Sequence, residues 1–258
     1  MSLATGARLA LGTLTIIPVG NLMPLPKGAA REAMSLAPVV VLPITLVAGA
    51  IFQGATWLGL SGPVAGALAL AAMAVLTRAM HLDGLTDTVD GLGGGWTRER
   101  ALEIMHRGDV GPMGVAALVL VLLVQAGSLA ALTVLPWTGL LVAVALAFGR
   151  IAAPVLCVRG MPAARSAGMG AVMAGSVPAP LMVLVVLGST VALTGAVLVS
   201  GLAWWWGPVA ALVTLLVLWL FSRLVLRRIG GTTGDVFGAG IEIATTVVLM
   251  VLAIGAAR

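Results

Sequence analysis

Long apolar runs broken by a few polar interruptions limit this chain's fold more than any other feature. Seven runs stand out, at about 37–60, 63–80, 113–134, 137–158, 179–200, 207–226 and 239–256. A bilayer core of about 30 Å needs roughly 20 apolar residues per helix, so each run is a candidate span. Composition excludes the soluble alternative. Of 258 residues, 60% are hydrophobic and 9% are charged, against roughly 25% charged in an ordinary soluble domain. Mean hydropathy is +1.16. The 14 basic and 9 acidic side chains cannot coat a soluble protein of this size. The expected fold is all-α, a polytopic transmembrane bundle of about seven spanning helices. It forms a single integral membrane domain over 1–258, with residues 1–20 as a short interfacial or re-entrant segment.

The interruptions fix a topology. With 21–32 on one face, each pair of crossings returns the chain to that face, at 81–112, 159–178 and 227–238. Lys27, Arg31, Arg98, Arg100, Arg107, Arg159, Arg165, Arg227 and Arg228 then share one side, while the opposite connections carry no charge. The excess of bases makes the charged side cytoplasmic. Trp57, Trp137, Trp204, Trp205 and Trp206, five of the seven tryptophans, fall at the other ends, where indole rings favour the headgroup layer. The sequence pI near 11.3 therefore reflects membrane orientation and not a nucleic-acid surface. One cysteine, Cys157, supports neither a disulfide framework nor a cysteine-based zinc site.

Within 81–112 lies His81-Leu-Asp-Gly-Leu-Thr-Asp-Thr-Val-Asp-Gly91. Spacings of four and three put Asp83, Asp87 and Asp90 on one helical face. Stacked like charges repel, and a solvated polar face gives no reason to gather three of nine acids here. A hard divalent cation held by oxygen ligands does, with Mg²⁺ the natural occupant beside a phosphate. The expected active-site segments are 81–112 and 227–242. In the second, Gly230-Gly-Thr-Thr-Gly-Asp235 reads as an amide-rich turn entering a helix, capped by Thr232 or Thr233 and suited to a phosphate. Asp235 and Glu242, seven apart, share a face, and an intramembrane carboxylate such as Glu242 is costly without a role. Arg150 lies about eight residues into its span, where it needs an acidic partner or a substrate phosphate. Arg98, Arg100 and Arg107 sit around apolar positions 101, 102, 104 and 105, a short amphipathic helix that can hold phosphate or anionic headgroups.

These blocks, together with Leu102-Glu-Ile-Met105 and Gly238-Ala-Gly-Ile-Glu242, resemble the cobalamin synthase family, the adenosylcobinamide-GDP ribazoletransferases. The resemblance covers essentially the whole chain in block order, length and hydropathy. It implies a Mg²⁺-dependent enzyme of the cell (inner or plasma) membrane with its active site facing the cytoplasm. Its substrates would be adenosylcobinamide-GDP and α-ribazole or α-ribazole 5′-phosphate. The products would be adenosylcobalamin, or its 5′-phosphate, and GMP. It also implies catalytic roles for His81, Asp83, Asp87 and Asp90, and metal ligation by Asp83, Asp87, Asp90, Asp235 and Glu242. Arg150, Thr233, Gly234, Arg98 and Arg107 are the expected substrate contacts. After Leu-Glu-Ile-Met the family carries an acid directly behind its first base, then a second arginine. Here His106-Arg-Gly-Asp-Val-Gly111 shifts the acid and lacks that arginine.

The chemistry is phosphoryl transfer, in which either a carboxylate or His81 takes the hydroxyl proton. A CDP-alcohol phosphotransferase shares the setting, but its usual glycine-spaced aspartate signature with an early Ala-Arg is absent. A cation transporter predicts acids along several mid-spans, whereas these gather at one face. Whether the protein is a homo-oligomer stays open.

Overall fold

The computed structural model describes residues 3–22 and 24–258; Met1, Ser2 and Met23, parts of the 1–20 and 21–32 segments, lie outside the described residues. The chain forms α1 (Leu3–Leu14), α2 (Ala29–Val40), α3 (Leu42–Trp57), α4 (Gly62–Leu76), α5 (Met80–Gly94), α6 (Arg98–His106) and α7 (Pro112–Leu132). It continues through α8 (Thr138–Phe148), a 3₁₀ turn (Gly149–Ile151), α9 (Ala152–Leu156), α10 (Met169–Met173), α11 (Ala179–Val199), α12 (Trp206–Ile229) and α13 (Gly234–Ala256). The described residues contain no strand, only isolated bridges between Val158 and Val177 and between Ala163 and Thr232.

Six segments are long and apolar enough to cross a membrane: Ala29–Trp57, Pro112–Leu132, Thr138–Leu156, Ala179–Val199, Trp206–Ile229 and Gly234–Ala256. The first joins α2 and α3 across a break at Val41. Pro43, in the first turn of α3, has no amide to donate and crowds the preceding turn. The expected span 63–80 ends early. α4 stops at Leu76, Arg78 and Ala79 both take a φ of 54°, and α5 turns away by 92°. Only the bent pair α4–α5 can supply a seventh crossing. Asp83 on α5 is exposed and Asp87 half-buried, so this acidic face meets water, because a carboxylate facing hydrocarbon would cost several kcal/mol, roughly 2.5 or more. We read α4 as the crossing arm of this bent pair and α5 as the arm that turns along the end of the bundle carrying the charged loops.

Thr138–Leu156 is 83% buried and Gly234–Ala256 61%, against 22% for Pro112–Leu132 and for Ala179–Val199. α8 and α13 therefore form the centre, and α7 and α11 turn aliphatic faces such as Leu120, Leu123, Leu184 and Leu187 outward. Close approach at the centre relies on missing side chains. A Cβ at Gly49 of α3 would strike the Gly139 carbonyl of α8. The N-terminal helix α1 packs on α2. The strap after it is tied back by Arg8 Nη2 donating to Val19 O and by the Ile16 amide donating to Leu76 O at 2.7 Å.

Candidate active site

The 83–90 stripe and the 230–242 turn, distant in sequence, meet where α5 crosses the start of α13. Two glycines make the crossing possible. A Cβ on Gly84 would stand 2.6 Å from the Asp235 backbone oxygen, and one on Gly238 would stand 3.1 Å from the His81 Cα. Thr233 caps α13, its hydroxyl accepting from the Val236 amide at 3.2 Å. The same hydroxyl donates to Asp235 Oδ2 at 3.2 Å. Of the two threonines that the sequence left open, Thr233 is the cap. Thr232 instead pairs through its backbone with Pro162 and Ala164, joining the turn to the 159–178 segment.

A cavity of about 210 Å³ opens at this crossing, with His81, Asp83, Gly234, Asp235 and Gly238 in its wall. His81 is only 5% exposed, and neither ring nitrogen has a partner among the described residues. Partial burial, then the charges of Asp83, Asp235 and Asp90, raise the Asp87 carboxyl to about pKa 6, with Arg165 opposing. Asp87 therefore lies within electrostatic reach of acids on both helices. Arg165 is the site residue that sequence reasoning missed. Its Nη1 lies 3.7 Å from Asp235 Oδ2, and its Nη2 donates to Leu102 O at 2.8 Å. In the sequence it is one more base on a charged loop, with no spacing that ties it to Asp235.

Other expected residues stand elsewhere. Asp90 does lie on the stripe, but both its oxygens are engaged. Oδ2 accepts from the Gly111 amide at 2.7 Å and Oδ1 from the Gly114 amide at 2.8 Å. It thus caps α7 from a neighbouring helix, satisfying amides that have no partner inside α7. A Cβ on Gly111 would come 2.5 Å from Asp90 Oδ1, so this glycine leaves room for the clamp.

Glu242 is two turns deeper than Asp235, about 10 Å along α13. It accepts from Gln125 Nε2 at 3.0 Å and lines a separate small cavity with Arg150 and Thr245. Arg150, 2% exposed, donates from Nη1 to Leu146 O at 2.7 Å. Both residues are drawn from the acid cavity into an interior polar cluster, because a buried charge needs partners close by. Arg98 is engaged by the protein itself. It donates to Ile229 O at 2.9 Å and Ala164 O at 3.0 Å, tying α6 to the end of α12. Arg107 pairs with Glu103 at 2.8 Å on the exposed face of α6. Hydrogen bonds from Arg107 and Arg100 hold the Glu103 carboxyl below its usual range.

Among the described residues no three His, Cys, Asp or Glu side chains form a ready metal cage. The donor set still suits Mg²⁺, which keeps several waters and takes one or two carboxylates with the rest from substrate phosphate. Asp83 and Asp235 line one cavity, Asp87 is electrostatically coupled to both, and no thiolate competes, since Cys157 is buried away from the cavity wall.

The family described as cobalamin-5-phosphate synthase matches residues 6–253. Among curated relatives, the adenosylcobinamide-GDP ribazoletransferase of a Nocardioides species is 39% identical over 243 residues, covering 94% of this chain and 96% of the relative. The protein of that name from Bradyrhizobium diazoefficiens is 39% identical over 257 residues, covering 95% and 92%. That of Frankia casuarinae is 37% identical over 267 residues, covering 96% and 94%. No solved structure matches.

Proposed function

The chain belongs to the cobalamin-5-phosphate synthase family, and from that premise we propose that it is an adenosylcobinamide-GDP ribazoletransferase acting at the α5–α13 cavity. The observation that carries this placement is the convergence of His81, Asp83 and Asp235 on one cavity, with Arg165 on Asp235. In the reaction, a ribose hydroxyl of α-ribazole, or of its 5′-phosphate, attacks the cobinamide-linked phosphorus. A new P–O bond forms, the bond to the bridging oxygen breaks, and GMP leaves with that oxygen. Adenosylcobalamin, or its 5′-phosphate, is the other product. Such transfers depend mostly on positioning and charge neutralisation.

Asp83, Asp87 and Asp235 would hold Mg²⁺. When bound, the ion neutralises charge on the diphosphate and on the leaving oxygen. Arg165 orients the Asp235 carboxylate and adds positive charge beside the diphosphate. Thr233 fixes the start of α13, where the Gly234 and Asp235 amides have no acceptor inside the helix and can serve a phosphate. His81, whose ring nitrogens are buried without a protein partner, and a carboxylate of the cluster are the two candidate acceptors of the hydroxyl proton. The positive-inside bias of the charged loops supports a cavity that faces the cytoplasm at the cell membrane.

Purified protein in proteoliposomes tests the reading. With adenosylcobinamide-GDP, α-ribazole and Mg²⁺, GMP should appear in step with the cobalamin product, and EDTA should stop it. Ion flux without GMP release would support a transporter and overturn the proposal.

A further inference from the structure

A second cavity, an open groove of about 360 Å³, lies beside the acid cavity between α1, the strap after it and α10. The two share Thr13 and Met169 in their walls, so they are neighbouring chambers. The second is lined mainly by Leu9, Leu22, Leu25, Val172 and Met173. Its walls are held in place without a ligand. Arg8 Nη2 grips Val19 O, and the Ile16 amide donates to Leu76 O at 2.7 Å. A Cβ on Gly12 would stand 2.5 Å from Val19 Cγ2, so α1 and the strap are in direct contact. Thr13 has the one side-chain hydroxyl in the wall, and it already donates to Leu9 O at 2.8 Å.

We propose that this chamber binds the aromatic base of α-ribazole, with Val172 and Met173 setting how large a base is accepted. The inference rests on the transferase reading above and adds where the acceptor sits. Of the three bulky parts of the two substrates, only one suits the wall. Guanine carries donors and acceptors along its edge, and burying them unpaired among leucines is unfavourable. The corrin ring with its amides is too polar for this lining. A base joined to ribose through one ring nitrogen has lost its N–H donor and is largely apolar, which matches the lining. Methionine sulfur packs well against aromatic edges and adapts to their shape. A base seated here directs its ribose past Thr13 and Met169, the residues common to both walls, towards Asp83, Asp235 and His81. The attacking hydroxyl and the diphosphate then meet from opposite sides of the acid cavity.

The test uses the full chain in proteoliposomes, comparing wild type with Val172→Trp, which fills the chamber, and Val172→Ala, which enlarges it. Val172→Trp should raise KM for α-ribazole by about tenfold or more, in line with the discrimination expected of apolar pockets. KM for adenosylcobinamide-GDP should stay unchanged. Val172→Ala should reduce the preference between ribosides of a smaller and a larger base. An increase in KM for adenosylcobinamide-GDP, or no change for either substrate, would overturn the proposal. Equilibrium binding of α-ribazole alone separates the two levels. If wild type releases no GMP but binds α-ribazole and Val172→Trp does not, the chamber stands and the transfer reading falls.

Discussion

Asp83 and Asp90 sit seven residues apart on one helix, yet their surroundings give them opposite roles. Asp83 is exposed at the cavity, while Asp90 is 8% exposed and holds two amides of α7. Asp83→Asn should lower turnover by orders of magnitude and leave the thermal midpoint in detergent close to wild type. Asp90→Ala should do the reverse first, lowering stability by about 1–3 kcal/mol as two amides lose their acceptor. Thermal unfolding and GMP release, measured on both variants, check the split; equal loss of stability in both would refute it. Arg165→Met should lower turnover about threefold or more through loss of the positive charge 3.7 Å from Asp235 Oδ2. Arg98→Met should instead lower the thermal midpoint, because its contacts are backbone carbonyls on two other elements. Activity unchanged in Arg165→Met would remove that residue from the site.

At the scale of elements, the site depends on how closely α5 and α13 approach. Gly84→Ala would press a methyl against the Asp235 backbone and push the two helices apart. Turnover should fall far more than the thermal midpoint, and a variant of normal activity would show that the crossing is not needed. Hydropathy revealed the spans because every lipid-facing residue must be apolar. The aspartate spacing revealed the helical stripe because both follow the 3.6-residue turn. The sharp bend at Arg78 and Ala79 left no such mark, since neither residue is a glycine or proline that would announce a left-handed turn. Asp90 could not be separated from its neighbours by spacing, because its partners lie more than twenty residues on, at the start of α7. Glu242 shares a helical face with Asp235, as periodicity requires, but two turns of depth carry it to Gln125 and Arg150. Periodicity reports a face, not a depth, and Arg165 had no periodic signal at all.

For the whole molecule, the charged loops gather at one end and the tryptophans Trp57, Trp137, Trp204 and Trp205 stand exposed at connections on the other. In a Cys157→Ala background, a single cysteine at Arg100 should react with an impermeant maleimide only after the membrane is opened from the cytoplasmic side. One at Trp204 should react from outside in intact cells, and the opposite pattern would invert the proposed orientation. The molecule's two ends thus do different work. One carries the exposed tryptophans, which on our proposed orientation meet the outer headgroup layer, while the other brings α5, α13 and the 159–178 segment around one cavity. The account stands on that gathering being a divalent-cation site. Mn²⁺ binding followed by electron paramagnetic resonance, in the presence of adenosylcobinamide-GDP, tests it most directly. Asp83→Asn and Asp235→Asn should each weaken Mn²⁺ binding severalfold or more while Glu242→Gln binds as wild type. Unaltered binding in both aspartate variants, or loss confined to Glu242→Gln, would contradict the account.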